Sequence, residues 1–299
     1  MNEKDLALKW KFHITNGDFE SAWKINDIIF NLHRQKNLNT IPRHFQIIWN
    51  GSSLNNKTVL IRCYHGLGDT IQFIRYLPLV EAVASKTFVW VQPELIKLLE
   101  TMKTKAVFLP LNNESPPVEY DVDIELMELP YIFRTNINNI PANVPYLHID
   151  AQADDKTNAI KAGIVWKSGD WDKYRSIPYD QIISLSKIKD LDLYILQKGS
   201  GLIERTEDFG ILSGSEDVYK AARIIKSLDV VISVDTMIPH LAGALGVPVW
   251  LLLNSKSDWR WLDKRSDSPW YPTMRIFRQE TFGKWDSVIN EVKRELSLL

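Results

Sequence analysis

The sequence predicts an α/β protein of two domains, each built on a parallel sheet covered on both faces. Three observations carry this. From Thr58 onward short apolar runs alternate with helical segments, and such alternation makes parallel strands joined by helical crossovers. The series breaks at Pro141 and Pro145 and restarts at Gly163. The chain has 299 residues, close to two domains of ~150 residues each.

The elements follow in order. Residues 4–36 read as two helices around Asn16-Gly17-Asp18, with Leu6, Leu8 and Trp10 before the turn and Phe19, Ala22, Trp23, Ile29 and Phe30 after it. The Gly-Asp-Phe-Glu-x-Ala-Trp pattern of this hairpin is like one tetratricopeptide-type unit. No second copy is visible, and a lone unit needs the rest of the chain or a partner to bury its face. Residues 37–57, rich in Asn and Ser, form a linker. Then come Thr58–Tyr64 (strand), Asp69–Ala84 (helix), Thr87–Gln92 (strand), Glu94–Met102 (helix), and strands Ala106–Leu109 and Val122–Glu125. A joint lies near Asp150–Asn158. The second series runs through Gly163–Lys167, a helix from Tyr179, Leu193–Gln197, a helix over 216–227, Val230–Val234, a helix from Pro239, Pro248–Leu253, Arg275–Arg278 and a last helix over 284–297. The expected domains are a hairpin over 1–40, a Rossmann-like domain over 41–155 and a second over 156–299, the latter two facing across a cleft. Ligands of such sheets bind outside the carboxyl ends of the strands, where the polar motifs of this chain fall.

Composition narrows the function. With 36 Lys and Arg against 37 Asp and Glu, no positive field exists to hold a phosphate backbone, so nucleic acid is excluded as a partner. The single cysteine, Cys63, excludes internal disulfides and Cys-rich metal centres and fits a reducing compartment, the cytoplasm. The apolar stretch Leu241–Leu253 is interrupted by Gly243, Gly246 and Pro248 and is shorter than the ~20 residues of a spanning helix. The N-terminus mixes both charges and leads into no apolar core, unlike a secretory signal.

Three segments carry candidate chemistry. The strand ending at Tyr64 runs into His65-Gly66-Leu67-Gly68-Asp69-Thr70, where Gly66 and Gly68 form a turn that admits a ligand to the backbone. This is not the dinucleotide fingerprint, because Ile71 holds the third glycine position and the next strand ends Val91-Gln92-Pro93, without an acid. Asp69 is either a helix cap or a general base. The second segment is Val230–Val234 followed by Asp235-Thr236-Met237-Ile238-Pro239-His240. Pro239 suits a first helical turn, so backbone N–H groups near 236–240 and the helix dipole form an anion site sized for a diphosphate. The alternative is that Asp235 or Thr236 only caps the helix and His240 is a satisfied core histidine. In the third segment, residues 163–178, Lys167, Lys173 and Arg175 are either solvated loop cations or, in combination with the second segment, groups that neutralise a departing diphosphate. Asp121-Val122-Asp123 suggests a metal-binding acidic pair but reads better as a solvated strand face. Cys63 and His65 lack further ligands nearby, so no metal site is expected. The aromatic runs Asp258–Trp261 and Ser268–Pro272 suit either stacking on a ligand or packing.

Together and in this order, Gly66–Phe73 through Arg75-Tyr76-Leu77-Pro78, Ser233–Thr236 with His240–Gly246, Asp258–Trp261 and Ser268–Pro272 resemble the family 9 glycosyltransferases. This is the heptosyltransferase-like group, in the branch that carries tetratricopeptide repeats. The resemblance implies a GT-B fold of two Rossmann-like domains with an N-terminal helical hairpin. It also implies inverting, metal-independent transfer from a nucleoside-diphosphate sugar to an acceptor hydroxyl, either on a glycan or on a protein Ser/Thr, with no cofactor. Asp69 falls where the family has its base. Arg175 aligns with a family Lys that contacts the donor phosphates, and Asp235, Thr236 and His240 fall on the donor-binding turn. Met237 stands where heptosyltransferases carry Gly. Two other readings share the shell: a non-catalytic module that binds a nucleotide sugar or, through the hairpin, a protein partner; and a nucleotide-sugar epimerase.

Overall fold

The computed structural model describes residues 2–33, 41–43, 46–112, 115–152, 158–169 and 172–299. The expected hairpin residues 34–36, most of the first half of the linker, and Asp170 and Trp171 of the third segment lie outside these. The chain forms two compact units, Met1–Ala142 with Trp259–Lys264, and Asn143–Asp258 with Arg265–Leu299.

The first unit opens with α1 (Glu3–Thr15) and α2 (Phe19–His33). Asn2 caps α1 by accepting from the Asp5 amide at 2.9 Å, and Gly17 turns the chain at φ +79°, where a side chain would be strained. The hairpin docks on its own unit. Trp23 Nε1 donates to the Thr135 carbonyl at 2.6 Å, Tyr131 Oη donates to Asp27 at 2.6 Å, and Arg134 pairs with the same carboxylate at 2.6 Å. The βα series follows as β1 (Thr58–Arg62), α3 (Leu67–Phe73), α4 (Leu77–Glu81), β2 (Lys86–Val91), α5 (Pro93–Leu99), β3 (Val107–Pro110), β4 (Val122–Glu125) and α6 (Leu129–Ile132). The single helix expected over Asp69–Ala84 is interrupted by a 3₁₀ turn at Ile74–Tyr76, because Pro78 offers no N–H to continue the ladder and sits at the start of a new helix. The strands order as β3-β2-β1-β4, all pairs parallel. Val59, Leu60 and Ile61 of β1 are fully buried.

The second unit contains β5 (Ile160–Val165), α7 (Tyr179–Ile182), β6 (Leu191–Ile195), α8 (Ser200–Ile203), β7 (Ile211–Leu212), α9 (Val218–Ile225), β8 (Val230–Val234), α10 (Met237–Ala244), β9 (Val249–Leu253), β10 (Met274–Arg278) and α11 (Asp286–Leu296). Its sheet is parallel with the order β10-β9-β8-β5-β6-β7. The two-residue β7 was not foreseen, since a strand that short leaves no periodic trace. Asn143–Gln152 packs with this unit rather than with the first: the Tyr146 and Leu147 amides both donate to the Ala244 carbonyl, and Leu147 is buried. Conversely, Trp259–Lys264, expected within the 156–299 domain, belongs to the first unit. There Trp259 stacks on Phe73 and meets Trp10 edge-on at 5.6 Å. No helix among the described residues is long and apolar enough to cross a membrane.

Candidate active-site residues

Strand order points to where each sheet can hold a ligand. Numbered from its own first strand, the second sheet runs 3-2-1-4-5-6, with the reversal between β5 and β8, and the first sheet has the same 3-2-1-4 start, with the reversal between β1 and β4. Open parallel sheets bind ligands outside the carboxyl ends of the strands at that reversal.

In the first unit the reversal faces the turn after β1. Gly66 is the N-cap of α3, Gly68 lies in its first turn and Asp69 is its third residue. The Gly66 amide donates to Asp69 Oδ2 at 3.0 Å; a Cβ on Gly66 would meet that oxygen at 3.2 Å, so the glycine keeps room for the carboxylate to fold back. The other oxygen, Oδ1, accepts from the Arg260 guanidinium. Asp69 is therefore both cap and ion-pair partner, with a quarter of its side chain exposed. Next to it stands a residue the sequence reading left out. Glu125, the last residue of β4, is 2% exposed, receives the Met127 amide at 2.6 Å and lies 3.7 Å from His65 Nε2. Burial, with the nearby Glu128 and Asp69 charges adding to it, pushes its carboxyl up to about 8. Register hides Glu125 in the sequence: it closes an ordinary alternating strand, and only pairing with β1 at Arg62 places it beside the glycine turn. In the acidic pair, the Asp121 carboxylate accepts the Thr58 amide at 2.7 Å and Asp123 pairs with Arg62. Among the described residues no group of three or more His, Cys, Asp or Glu could hold a metal ion.

In the second unit Arg175 and Asp235 come together at the reversal. Arg175 closes a 3₁₀ turn over Lys173–Arg175 and reaches Asp235 at 3.4 Å and Asp172 at 3.5 Å; Asp235 is 7% exposed. Thr236 is the N-cap of α10, taking the Ile238 amide at 3.3 Å. Since Pro239 has no N–H, the free amides expected near 236–240 are fewer than the helix start suggests. His240 is buried, and its Nδ1 shares a 3.1 Å hydrogen bond with Tyr271 Oη. Gly243 is required one turn on, because a Cβ there would come within 2.4 Å of the Tyr271 ring. Lys167 has a carboxylate partner, Glu204, at 2.5 Å.

The loops that carry these groups are braced by amides the sequence reading passed over. Gln92, Gln197, Asn254 and Gln279 each follow directly on the residues of β2, β6, β9 and β10 or lie one residue beyond. Gln197 receives the Trp166 and Lys167 amides at 3.0 and 2.8 Å. Gln92 donates to the His65 carbonyl at 2.6 Å, and Asn254 donates to the Tyr174 carbonyl at 3.2 Å. A polar amide closing an apolar run is a signal that was available in the sequence.

No family model matches the chain. A curated relative, Protein FlbA of Caulobacter vibrioides, is 24% identical over 299 residues, covering 87% of this chain and 50% of that protein; the chain thus spans about half the length of the relative it matches. Among solved structures, the family 9 glycosyl transferase from Veillonella parvula superposes with a TM-score of 0.57 at 12% identity, over 82% of this chain and 90% of that one. The fold is that of the heptosyltransferases. Escherichia coli ADP-heptose LPS heptosyltransferase II matches with a TM-score of 0.53 at 14% identity, over 81% and 98% of the two chains. The dodecameric iron-containing heptosyltransferase TibC, solved with ADP-D-β-D-heptose, matches at 0.55 and 13%, over 82% and 78%. At these identities the likeness establishes the α/β heptosyltransferase fold, and the α1–α2 hairpin stands at its N-terminus.

Proposed function

We propose that this protein is an inverting glycosyltransferase that moves a sugar from a nucleoside-diphosphate donor to an acceptor hydroxyl without a metal. The observation that carries the reading is the coincidence of charged groups with strand reversals: Asp69 beside the β1/β4 reversal of one sheet, Arg175 with Asp235 beside the β5/β8 reversal of the other. The fold neighbours are glycosyltransferases, and one was solved with ADP-heptose, which puts that donor first among the nucleotide sugars to test.

In this reading the acceptor oxygen attacks the anomeric carbon as the bond to the diphosphate breaks, and its proton passes to Asp69. Help of this kind is worth about 10²–10⁴-fold in rate. Arg260 holds the carboxylate in place until the hydroxyl arrives. Arg175, with Lys167 and the start of α10, takes up the charge that develops on the leaving diphosphate, the work a divalent ion does elsewhere. Asp235 holds Arg175 in place. His240, fixed by Tyr271, bonds a phosphate oxygen or a sugar hydroxyl.

The test is a thermal-shift screen of the protein, with EDTA and separately with magnesium, against nucleoside diphosphates and nucleotide sugars. A ligand at a hundredfold excess over its Kd stabilises by ~2.7 kcal/mol. A selective shift that persists in EDTA and is lost in Arg175→Ala is expected. No shift with any nucleotide would overturn the reading, and conversion of the free donor sugar without acceptor would replace it with an epimerase.

A further inference from the structure

The loop after β5 ends in the 3₁₀ turn Lys173–Arg175. Three contacts, all within the second unit, lay this turn across the carboxyl ends of the neighbouring strands β8, β9 and β10. Arg175 reaches Asp235, which follows β8, at 3.4 Å. Asn254, which follows β9, donates to the Tyr174 carbonyl at 3.2 Å. The Tyr174 ring meets the ring of Phe282, in the loop after β10, with centroids 5.1 Å apart. The first two contacts belong to the site described above, and the third has no part in it.

The bonds within the turn leave its tip to be aimed from outside. Asp172 caps the turn by accepting the Tyr174 amide at 3.1 Å, and the Arg175 and Ser176 amides donate to the Asp172 and Lys173 carbonyls, which shapes the turn without fixing its direction. Ser168 ties down the two ends, Asp172 and Ser176, by hydrogen bonds of 2.9 and 3.1 Å. The peptide between Tyr174 and Arg175 then hangs on Asn254, and one hydrogen bond acts as a pivot. A ring contact beside it supplies the second point that stops rotation. The seat for that ring is firm: Gln279, 2% exposed, accepts the Gly283 amide at 2.9 Å, and its own amide donates to the Leu253 carbonyl. The Lys256 amide donates to Asn254 at 2.8 Å while its ammonium lies 5.0 Å from the Phe282 centroid, so both outer supports of the turn are joined.

We propose that Tyr174 and Phe282 are positioning residues, whose ring contact aims the Tyr174–Arg175 peptide and so holds the Arg175 guanidinium beside Asp235. The effect on the diphosphate rests on the glycosyltransferase reading above; the placing of Arg175 does not. The pair is exposed, Tyr174 at 55% and Phe282 at 37%, so it joins two loops rather than filling a core. Its geometry also suits this role better than a stacking platform for a ligand. The rings are tilted by 45°, and each has a lysine ammonium over it, Lys173 on Tyr174 and Lys256 on Phe282.

The experiment compares Tyr174→Ala, Phe282→Ala and Tyr174→Phe by hydrogen exchange over residues 172–176 and by calorimetric titration. Both alanine variants should exchange about three- to tenfold faster there, as expected when an aromatic pair is lost, with the β8 amides unchanged. Tyr174→Phe, which keeps the ring, should exchange like the parent protein. Nucleoside-diphosphate affinity should fall by about two- to tenfold in both alanine variants, because only molecules with Arg175 in place bind the diphosphate fully, and affinity for the matching nucleoside should hold. In an Arg175→Ala background neither alanine should cost anything more. Unchanged exchange in both alanine variants would overturn the proposal, as would losses that add to that of Arg175→Ala. Loss of nucleoside affinity in step with the diphosphate would also overturn it and make the rings a ligand platform. If the parent protein binds no nucleoside diphosphate, the glycosyltransferase reading falls, and the exchange rates alone decide whether the rings set the turn.

Discussion

Arg260 holds Asp69: its guanidinium takes Oδ1 while the Gly66 amide takes Oδ2 at 3.0 Å. These partners lie 191 positions apart in the chain, yet both belong to the first unit. The pair gives the glycine turn a fixed, charged carboxylate, and it ties the aromatic segment after β9 to α3.

If Asp69 is the base, Asp69→Asn keeps the Gly66 hydrogen bond and removes the proton acceptor. Turnover should fall by about 10²–10⁴-fold with nucleotide affinity unchanged. Arg260→Met should likewise spare nucleotide affinity and reduce turnover less. Initial rates beside calorimetric titration of the nucleoside diphosphate check both.

Asp235 is expected to act through Arg175, which it meets at 3.4 Å. Each alanine substitution should weaken nucleoside-diphosphate binding by roughly tenfold, and the double variant should be no worse than Arg175→Ala alone, a strong departure from additivity. Additive losses would mean that Asp235 contacts the donor itself.

Gly243→Ala forces a methyl into the Tyr271 ring. Overpacking of this kind costs about 1–3 kcal/mol, readable in urea unfolding. Because Tyr271 fixes His240, nucleotide affinity should drop along with stability. A loss of stability alone would leave His240 as a core residue.

Burial raises the Glu125 carboxyl to about 8 from the ~4.3 of an unfolded chain. Between these values the folded state binds more protons than the unfolded one, so stability falls as pH rises through this window, at most about 1.4 kcal/mol per pH unit. His65, Glu128 and Asp69 face the same carboxyl and remain in Glu125→Gln. The variant should therefore match the protein at low pH and gain on it steadily up to about pH 8. Denaturant unfolding along a pH series reads the difference.

Much of the fold was legible because its signals are local. Periodicity places β4 at Val122–Glu125 and β8 at Val230–Val234 as observed, since a buried parallel strand must be an unbroken or alternating apolar run. The helix across Asp69–Ala84 was overextended because apolar spacing outweighed Pro78, whose missing N–H decides locally. In the candidate site, the residues following strand ends were visible as Asp69, Asp235 and Thr236. Gln197 carries a local signal, an amide closing an apolar run, whereas nothing in the neighbours of Glu125 and Arg260 distinguishes them from a strand face or a loop cation.

The sequence by itself determined the two parallel-sheet units, the N-terminal hairpin and the polar turns at strand ends, because these depend on contacts within a few residues. The tertiary structure alone decided which charges meet. Strand order put Arg175 against Asp235 and Glu125 beside His65, and the return of Trp259–Lys264 to the first unit brought Arg260 to Asp69. Ion pairing and burial act through space, and the sheet order that sets those distances is a property of the whole chain rather than of any segment of it.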